Sequence, residues 1–290
     1  VNILLIGCGY VGKRVADKEL ARGNAVLAIV RSDESRQALQ GNGVPATCLD
    51  LDLPIDRSAP ATKGAGIYYF APPPEKGQSD PRIRRFLESI GPQQLPERVV
   101  YISTTGIYGD CRGDWVDEER APEPQADRSK RRLDAETALR DWSRQTGIKV
   151  VVLRVPGFYG PGKLPLARIR KGTPVLRESE SPWSNRVHID DLVATCLAAM
   201  HHPEPDDTYN ISDGHPSTMT DYFNQVADAA GLPRPPEISL EQAKKQFSPE
   251  LLSYLSESKR IDNTRMREKL CIEPAYPSLK DGLAAAIEGN

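Results

Sequence analysis

The stretch Asn2-Ile3-Leu4-Leu5-Ile6-Gly7-Cys8-Gly9-Tyr10-Val11-Gly12 decides the fold. Four apolar residues, Ile3 to Ile6, run straight into glycine, which reads as a short buried strand. Residues 11–22 then carry helical spacing. Val11, Val15, Ala16 and Leu20 share one face, and Gly23-Asn24 ends the helix. Between strand and helix stands G-x-G-x-x-G, in the context where that pattern has a mechanism. Gly7 permits the tight turn, Gly9 lets the backbone approach a pyrophosphate, and Gly12 allows helix and strand to pack closely. Free N–H groups at the helix N-terminus, where Tyr10 and Val11 lie, then face the phosphates. The stretch implies dinucleotide binding.

Outward from this unit the same alternation continues. Residues 25–30, 47–51, 67–71, 99–104 and 150–155 read as strands. Residues 33–40 (capped by Ser32 or Asp33), 81–90 and about 126–146 read as helices. Strands alternating with helices predict an α/β chain with a parallel sheet covered on both faces. The right-handed crossover rule makes it a Rossmann-like, doubly wound sheet. After residue 155 the pattern changes. Loops and short helices are expected over 156–189, a helix over 190–200, a strand over 208–211, a helix over 218–230 and a helical tail over 239–290. The expected domains are 1–155 with 190–212 for the dinucleotide, and 156–189 with 213–290 as a smaller, mainly helical substrate lobe.

Composition excludes other classes. Of 290 residues, 39% are hydrophobic and 27% charged, enough for a core and a solvated surface. Lys plus Arg is 38 and Asp plus Glu is 40, without the basic excess of a nucleic-acid binder. No apolar run approaches the roughly 18 residues of a membrane span. No charged-then-apolar leader precedes the first strand, so no secretory signal is expected. The five cysteines, at 8, 48, 111, 196 and 271, show no metal spacing and no complete disulfide framework. A reducing cytoplasm with inert thiols is expected, and no metal. The 25 prolines cluster at 72–74, 92–96, 122–124, 203–205 and 233–236, and read as loop punctuation.

The end of the second strand discriminates between cofactors. An NAD site places Asp or Glu there to hold the ribose 2′-hydroxyl. This strand ends Ile29-Val30-Arg31-Ser32. Arg31 cannot accept from that hydroxyl but can pair with a 2′-phosphate, and Ser32 can add a hydrogen bond. NADP(H) is favoured over NAD(H). The competing reading is a solvated Arg31 with Asp33 as the acid.

Ser103-Thr104-Thr105-Gly106-Ile107-Tyr108-Gly109 resembles the strand-end motif of the extended short-chain dehydrogenases/reductases, the NAD-dependent epimerase/dehydratase family. Leu153-Arg154-Val155-Pro156-Gly157-Phe158-Tyr159-Gly160-Pro161-Gly162 resembles its "LRxxxxYGPG" segment. Val187-His188-Ile189-Asp190-Asp191-Leu192 resembles its "V-H-V-x-D", and Tyr209-Asn210-Ile211 its "YNV" strand. Two departures stand out. The glycine loop is G-x-G-x-x-G rather than G-x-x-G-x-x-G, and Tyr-x-x-x-Lys is incomplete, with Lys130 in place but Ala126 where the Tyr belongs. Both resemble the atypical short-chain dehydrogenases, which keep the cofactor fold and lose parts of the catalytic set.

The resemblance implies roles. Thr104 would bond the reacting oxygen, with a plain strand-ending residue as the alternative. Lys130 would contact the nicotinamide ribose, or else be a surface lysine. Tyr108 could substitute as proton donor. Asp50-Leu51 would meet the adenine, with Asp52 as the register alternative. Ala71-Pro72, Ser103 and Pro156 would pack along the dinucleotide. Tyr159 and Arg186 would meet the substrate, Arg186 through a phosphate or carboxylate. His188 reads as a structural histidine and Asp191 as a helix cap. The expected function is an NAD(P)-dependent oxidoreductase or epimerase/dehydratase acting on a sugar-like or nucleotide-sugar-like alcohol or ketone. The alternative is a catalytically degenerate NADP(H)-binding sensor or scaffold. The expected partners are a small-molecule substrate and, by family default, a second copy in a homodimer.

Overall fold

The computed structural model describes residues 2–55, 61–202 and 207–288. The proline cluster at 203–205 and the last two residues of the tail lie outside the described residues.

The apolar runs become the strands β1 (Asn2–Ile6), β2 (Ala25–Val30), β3 (Ala46–Cys48), β4 (Gly66–Tyr69) and β5 (Arg98–Thr104). With Lys149–Val155 and Thr208–Asn210 they form one seven-stranded sheet. Its order is Thr208–Asn210, Lys149–Val155, β5, β4, β1, β2, β3. The pairs β1–β2, β1–β4, β2–β3 and β4–β5 are parallel. The order reverses at β1, which puts the glycine loop at the switch point of the sheet, where such folds bind ligands. Ile3, Leu5 and Ile6 are at most 1% exposed, as expected of strands covered on both faces.

The covering helices are α1 (Tyr10–Ala21), α2 (Asp33–Gly41), α3 (Pro81–Ser89) and α4 (Asp127–Thr146). Ser32 caps α2, its hydroxyl accepting from Ser35 N, and Asp80 caps α3 ahead of Pro81. α4 is polar along its length, yet its Glu136 meets Arg154 at 2.9 Å with both side chains buried.

β3 stops at Cys48, three residues short of the expected 47–51. Asp50 Oδ1 accepts from Asp52 N at 2.9 Å and turns the chain.

The chain divides into two compact units. The first is 1–107, 127–154 and 193–209; the second is 108–126, 155–192 and 210–290. Residues 108–126, expected in the first domain, fall in the second unit because Trp115–Val116 pairs with Arg260–Ile261. The stretch 156–189, expected as loops and short helices, also contains short strands. Gly157–Tyr159 pairs with Arg186–His188, and Val175–Leu176 with Glu237–Ile238. Strands of two or three residues carry no readable periodicity. The second unit has its own core, in which Tyr159, Phe223, Val226 and Leu283 pack together. Among the described residues, no helix is long and apolar enough to cross a membrane.

Candidate functional site

The glycine loop is held by contacts that admit no side chain. Gly7 adopts φ +86°, and a Cβ there would lie 2.6 Å from Ala71 N. A Cβ at Gly12 would lie 2.9 Å from Gly7 O, so α1 packs directly against the turn. Gly9 differs, since a Cβ there would meet nothing within 4 Å. It is the N-cap of α1 and offers no side-chain cap, and the first turn holds no acid. The leading N–H groups of α1 and its positive dipole end therefore suit an anion. Tyr10 lies under the Arg14 guanidinium, 3.9 Å from the ring centroid. Burial pushes the Cys8 thiol up to about 11, so it adds no negative charge here. The residues present fit the pyrophosphate of a dinucleotide.

At the end of β2, Arg31 is exposed. Asp33, the competing acid, is tied to Arg36 at 2.6 Å. Ser32 donates to Ser35 Oγ at 2.9 Å and caps α2, so its hydroxyl is committed to the helix. Asp52, the register alternative to Asp50, is forked on Arg82: Nε and the second guanidinium nitrogen donate to its two oxygens at 2.7 and 2.6 Å. That fork holds the Asp52 carboxyl below the usual carboxylate range, and the Arg31 charge adds to it. Arg82 also donates to Pro72 O and Arg85 to Leu51 O, each at 2.9 Å. Two arginines of α3 thus fasten both loops expected to line the dinucleotide. Sequence reading passed over Arg36, Arg82 and Arg85, because paired arginines on exposed helices carry no motif.

At the end of β5, Thr104 Oγ1 accepts from Gly106 N at 3.1 Å, which leaves its proton for another acceptor. Ser103 Oγ is buried without a hydrogen-bond partner. A Cβ at Gly106 would lie 2.7 Å from Ser129 Oγ and 3.4 Å from Thr104 Oγ1, so both hydroxyls crowd one point. Ser129, buried in the first turn of α4, was not singled out from the sequence. Its neighbour Lys130 is 36% exposed in its side chain and sits 3.6 Å from Asp127.

The second unit revises several roles. Tyr108 is 1% exposed, and its hydroxyl donates to Asn210 Oδ1 at 2.8 Å. Asn210 in turn donates to Val116 O and to Glu118. The phenol is a tie inside this unit, against its expected use as proton donor. Tyr159 is fully buried, with its hydroxyl 3.4 Å from Ser278 O, and packs in the core rather than meeting substrate. His188 is structural, its ring packed on Tyr276 and edge-on to Tyr159. Asp191, expected as a helix cap, lies inside the first turn of the helix Ile189–His201, and it accepts from the N–H groups of Ala275 and Tyr276, so it anchors the tail instead. Pro156 is half-buried after its strand. Arg186 lays its guanidinium over the Tyr222 ring.

This geometry can be set beside known proteins. Residues 83–212 match the NAD dependent epimerase/dehydratase family. The matched span holds β5, Thr104, Lys130 and the strand after α4, the segments whose motifs resemble that family. A curated relative, the uncharacterized protein y4nG of Sinorhizobium fredii, is 28% identical over 137 residues, spanning 45% of this chain and 34% of that one. A functionally unknown conserved protein from Silicibacter pomeroyi is 27% identical, with a TM-score of 0.86 over 99% of this chain and 98% of the other. The UDP-glucose 4-epimerase of Thermus thermophilus, in complex with NAD, shares the fold: 22% identity and a TM-score of 0.78 over 100% and 98% of the two chains.

Proposed function

We propose that the chain is an NAD(P)-dependent oxidoreductase or epimerase of the short-chain dehydrogenase type, acting on the alcohol or ketone of a sugar-like compound and preferring NADP(H). The observation that carries this reading is the head of α1, an uncapped helix N-terminus at Gly9, where a Cβ would meet nothing within 4 Å. The residues that would hold the dinucleotide are Gly7, Gly9, Tyr10, Val11 and Gly12 at the pyrophosphate, and Asp50 and Leu51 at the adenine. Arg31 would take the 2′-phosphate. Ala71, Pro72, Ser103 and Lys130 would line the rest. When bound, the nicotinamide supplies the hydride chemistry. The NAD found in the Thermus thermophilus relative supports a nicotinamide dinucleotide, and the preference for NADP(H) rests on Arg31.

The chain supplies orientation and proton handling. Thr104 donates its free hydroxyl proton to the substrate oxygen, and Lys130 orients the ribose with its ammonium. With Ala126 in place of a phenol, the general acid is missing, and such a group typically contributes 10²–10⁴-fold. That vacancy favours the second reading, a cofactor-binding sensor or scaffold. Calorimetry of the whole chain with NADPH and NADH tests the shared premise. Micromolar binding of NADPH is expected, and no binding of either nucleotide would end both readings.

A further inference from the structure

Two carboxylates stand close to Arg31 at the end of β2, and they are countered in different ways. Asp33 is countered within its own helix. Arg36 Nε donates to its Oδ1 at 2.8 Å, and Gln37 Nε2 donates to its Oδ2 at 2.6 Å. Asp52 takes its partner from α3, thirty positions away. Arg82 Nε and Nη2 donate to the two Asp52 oxygens at 2.7 and 2.6 Å, and Nη1 donates to Pro72 O at 2.9 Å. All three guanidinium nitrogens are therefore engaged. A lysine could not make this set of bonds, because its ammonium is a single point of charge.

The fork contributes little to folding, since Asp52 is 41% exposed and such pairs are screened by water. Its consequence is local. A bidentate fork fixes direction as well as charge, so both Asp52 oxygens are turned to α3. That fork holds the Asp52 carboxyl below the usual carboxylate range, and the nearby Arg31 and Arg85 charges add to it. These two cations are the ones that a released Asp52 would meet. Arg85 is half-buried and already donates to Leu51 O at 2.9 Å, whereas Arg31 is exposed. Asp52 would therefore turn to Arg31. A paired Arg31 draws a 2′-phosphate less strongly, and a carboxylate beside it repels that phosphate. The same carboxylate suits a plain ribose 2′-hydroxyl, which donates to it.

We propose that Arg82 is the positioning residue that sets the choice of dinucleotide: by holding Asp52 against α3, it keeps that carboxylate off Arg31 and leaves the end of β2 open to a 2′-phosphate. The proposal rests on the NADP(H) reading of Arg31. It places the selectivity on a helix that no dinucleotide motif marks, and it names Asp52 as the acid able to reverse it.

The test is a double-mutant cycle on the full chain. Calorimetry reads NADPH and NADH affinities for wild type, Arg82→Met, Asp52→Asn and the double variant, and thermal melting reads the fold. Arg82→Met is expected to cut the preference for NADPH by roughly tenfold, the effect of one like charge brought beside a phosphate at a partly exposed site. Asp52→Asn should keep the preference or raise it. The double variant should return the preference to within about threefold of wild type, because the competing carboxylate is gone. Both nucleotides stay weakened there by the lost bond to Pro72 O. Arg82→Lys, which keeps the charge but not the fork, should lose part of the preference, and it decides the matter if Arg82→Met melts far below wild type. The proposal is overturned if Arg82→Met and Arg82→Lys weaken both nucleotides equally, as loosened loops alone would do. It is also overturned if the double variant keeps the reduced preference, which would make Arg82 itself the phosphate ligand. Failure of the NADP(H) reading looks different: wild type would bind the two nucleotides alike, or neither. The claim that Arg82 keeps Asp52 off Arg31 is then judged without nucleotide, on crystals of Arg82→Met. Asp52 within about 4 Å of Arg31 there upholds it. Asp52 seated on Arg85, or turned to solvent, overturns it.

Discussion

Arg31 is exposed at the end of β2 while Asp33 is tied to Arg36 and Asp52 to Arg82. A 2′-phosphate at this strand end would meet an exposed guanidinium and acids whose charge is already countered. A charge-assisted contact of this kind is worth about 1.5–3 kcal/mol. NADPH should then bind roughly ten- to a hundredfold more tightly than NADH, and Arg31→Ala should bring the two together; equal affinities in the wild type would remove the argument. Arg31 was legible in the sequence because position alone selects it. Asp213 was not, since nothing in Ser212-Asp213-Gly214 announces a carboxyl that is 4% exposed. Burial raises its pKa to about 7; the His215 N–H and the His215 and Arg186 charges pull it down, while Asp191 pushes it up. The folded chain thus keeps a proton that the unfolded chain releases near pH 4. The stability tied to this group is highest below about pH 4 and falls as pH rises toward 7. Melting followed from pH 5 to 8 should show that decline. Asp213→Asn, which still accepts from His215, should flatten it; an unchanged slope would show that burial does not govern this carboxyl.

At the scale of elements, β1, the glycine turn and α1 were legible because a buried strand, a left-handed turn and an amphipathic helix each leave a distinct mark within twelve residues. The end of β3 was not, because a single Asp50 side chain stops it. The short paired strands of the second unit were hidden for want of length. The glycine turn gives a paired prediction. Gly7→Ala forces a side chain into φ +86° and places its Cβ 2.6 Å from Ala71 N. The strain alone is about 1–3 kcal/mol, and the clash adds to it. Melting should drop sharply, with loss of the turn that aims α1. Gly9→Ala meets nothing within 4 Å, so it should cost far less stability and still weaken NADPH at least tenfold by standing where the phosphates approach. Equal melting losses in the two variants would show that Gly9 is needed for the fold and not for ligand approach.

At the scale of the molecule, the parallel, doubly wound sheet follows from the alternation of strands and helices, but the crossing of 108–126 into the second unit does not. Trp115 and Arg260 are 145 positions apart, and no local pattern pairs them. That crossing decides the fate of Tyr108. Read from the sequence, it is a phenol four residues from Thr104; in the second unit, it is closed on Asn210 and 1% exposed. Tyr108→Phe should therefore leave any turnover within about threefold of wild type and cost about 1–3 kcal/mol of stability, since Asn210 Oδ1 loses a buried donor. Lys130→Met acts elsewhere. Its ammonium is partly exposed beside Asp127, so its loss should spare the fold, weaken NADPH and lower turnover together. The measurement is turnover of a panel of neutral and charged sugar ketones and alcohols by wild type and both variants, with NADPH affinity read in parallel. If Tyr108→Phe abolishes turnover while NADPH still binds, the phenol is the acid and its tie to Asn210 opens during catalysis. If no compound turns over and Lys130→Met changes only cofactor affinity, Ala126 marks a site that has kept its cofactor and lost its chemistry, and the sensor reading stands.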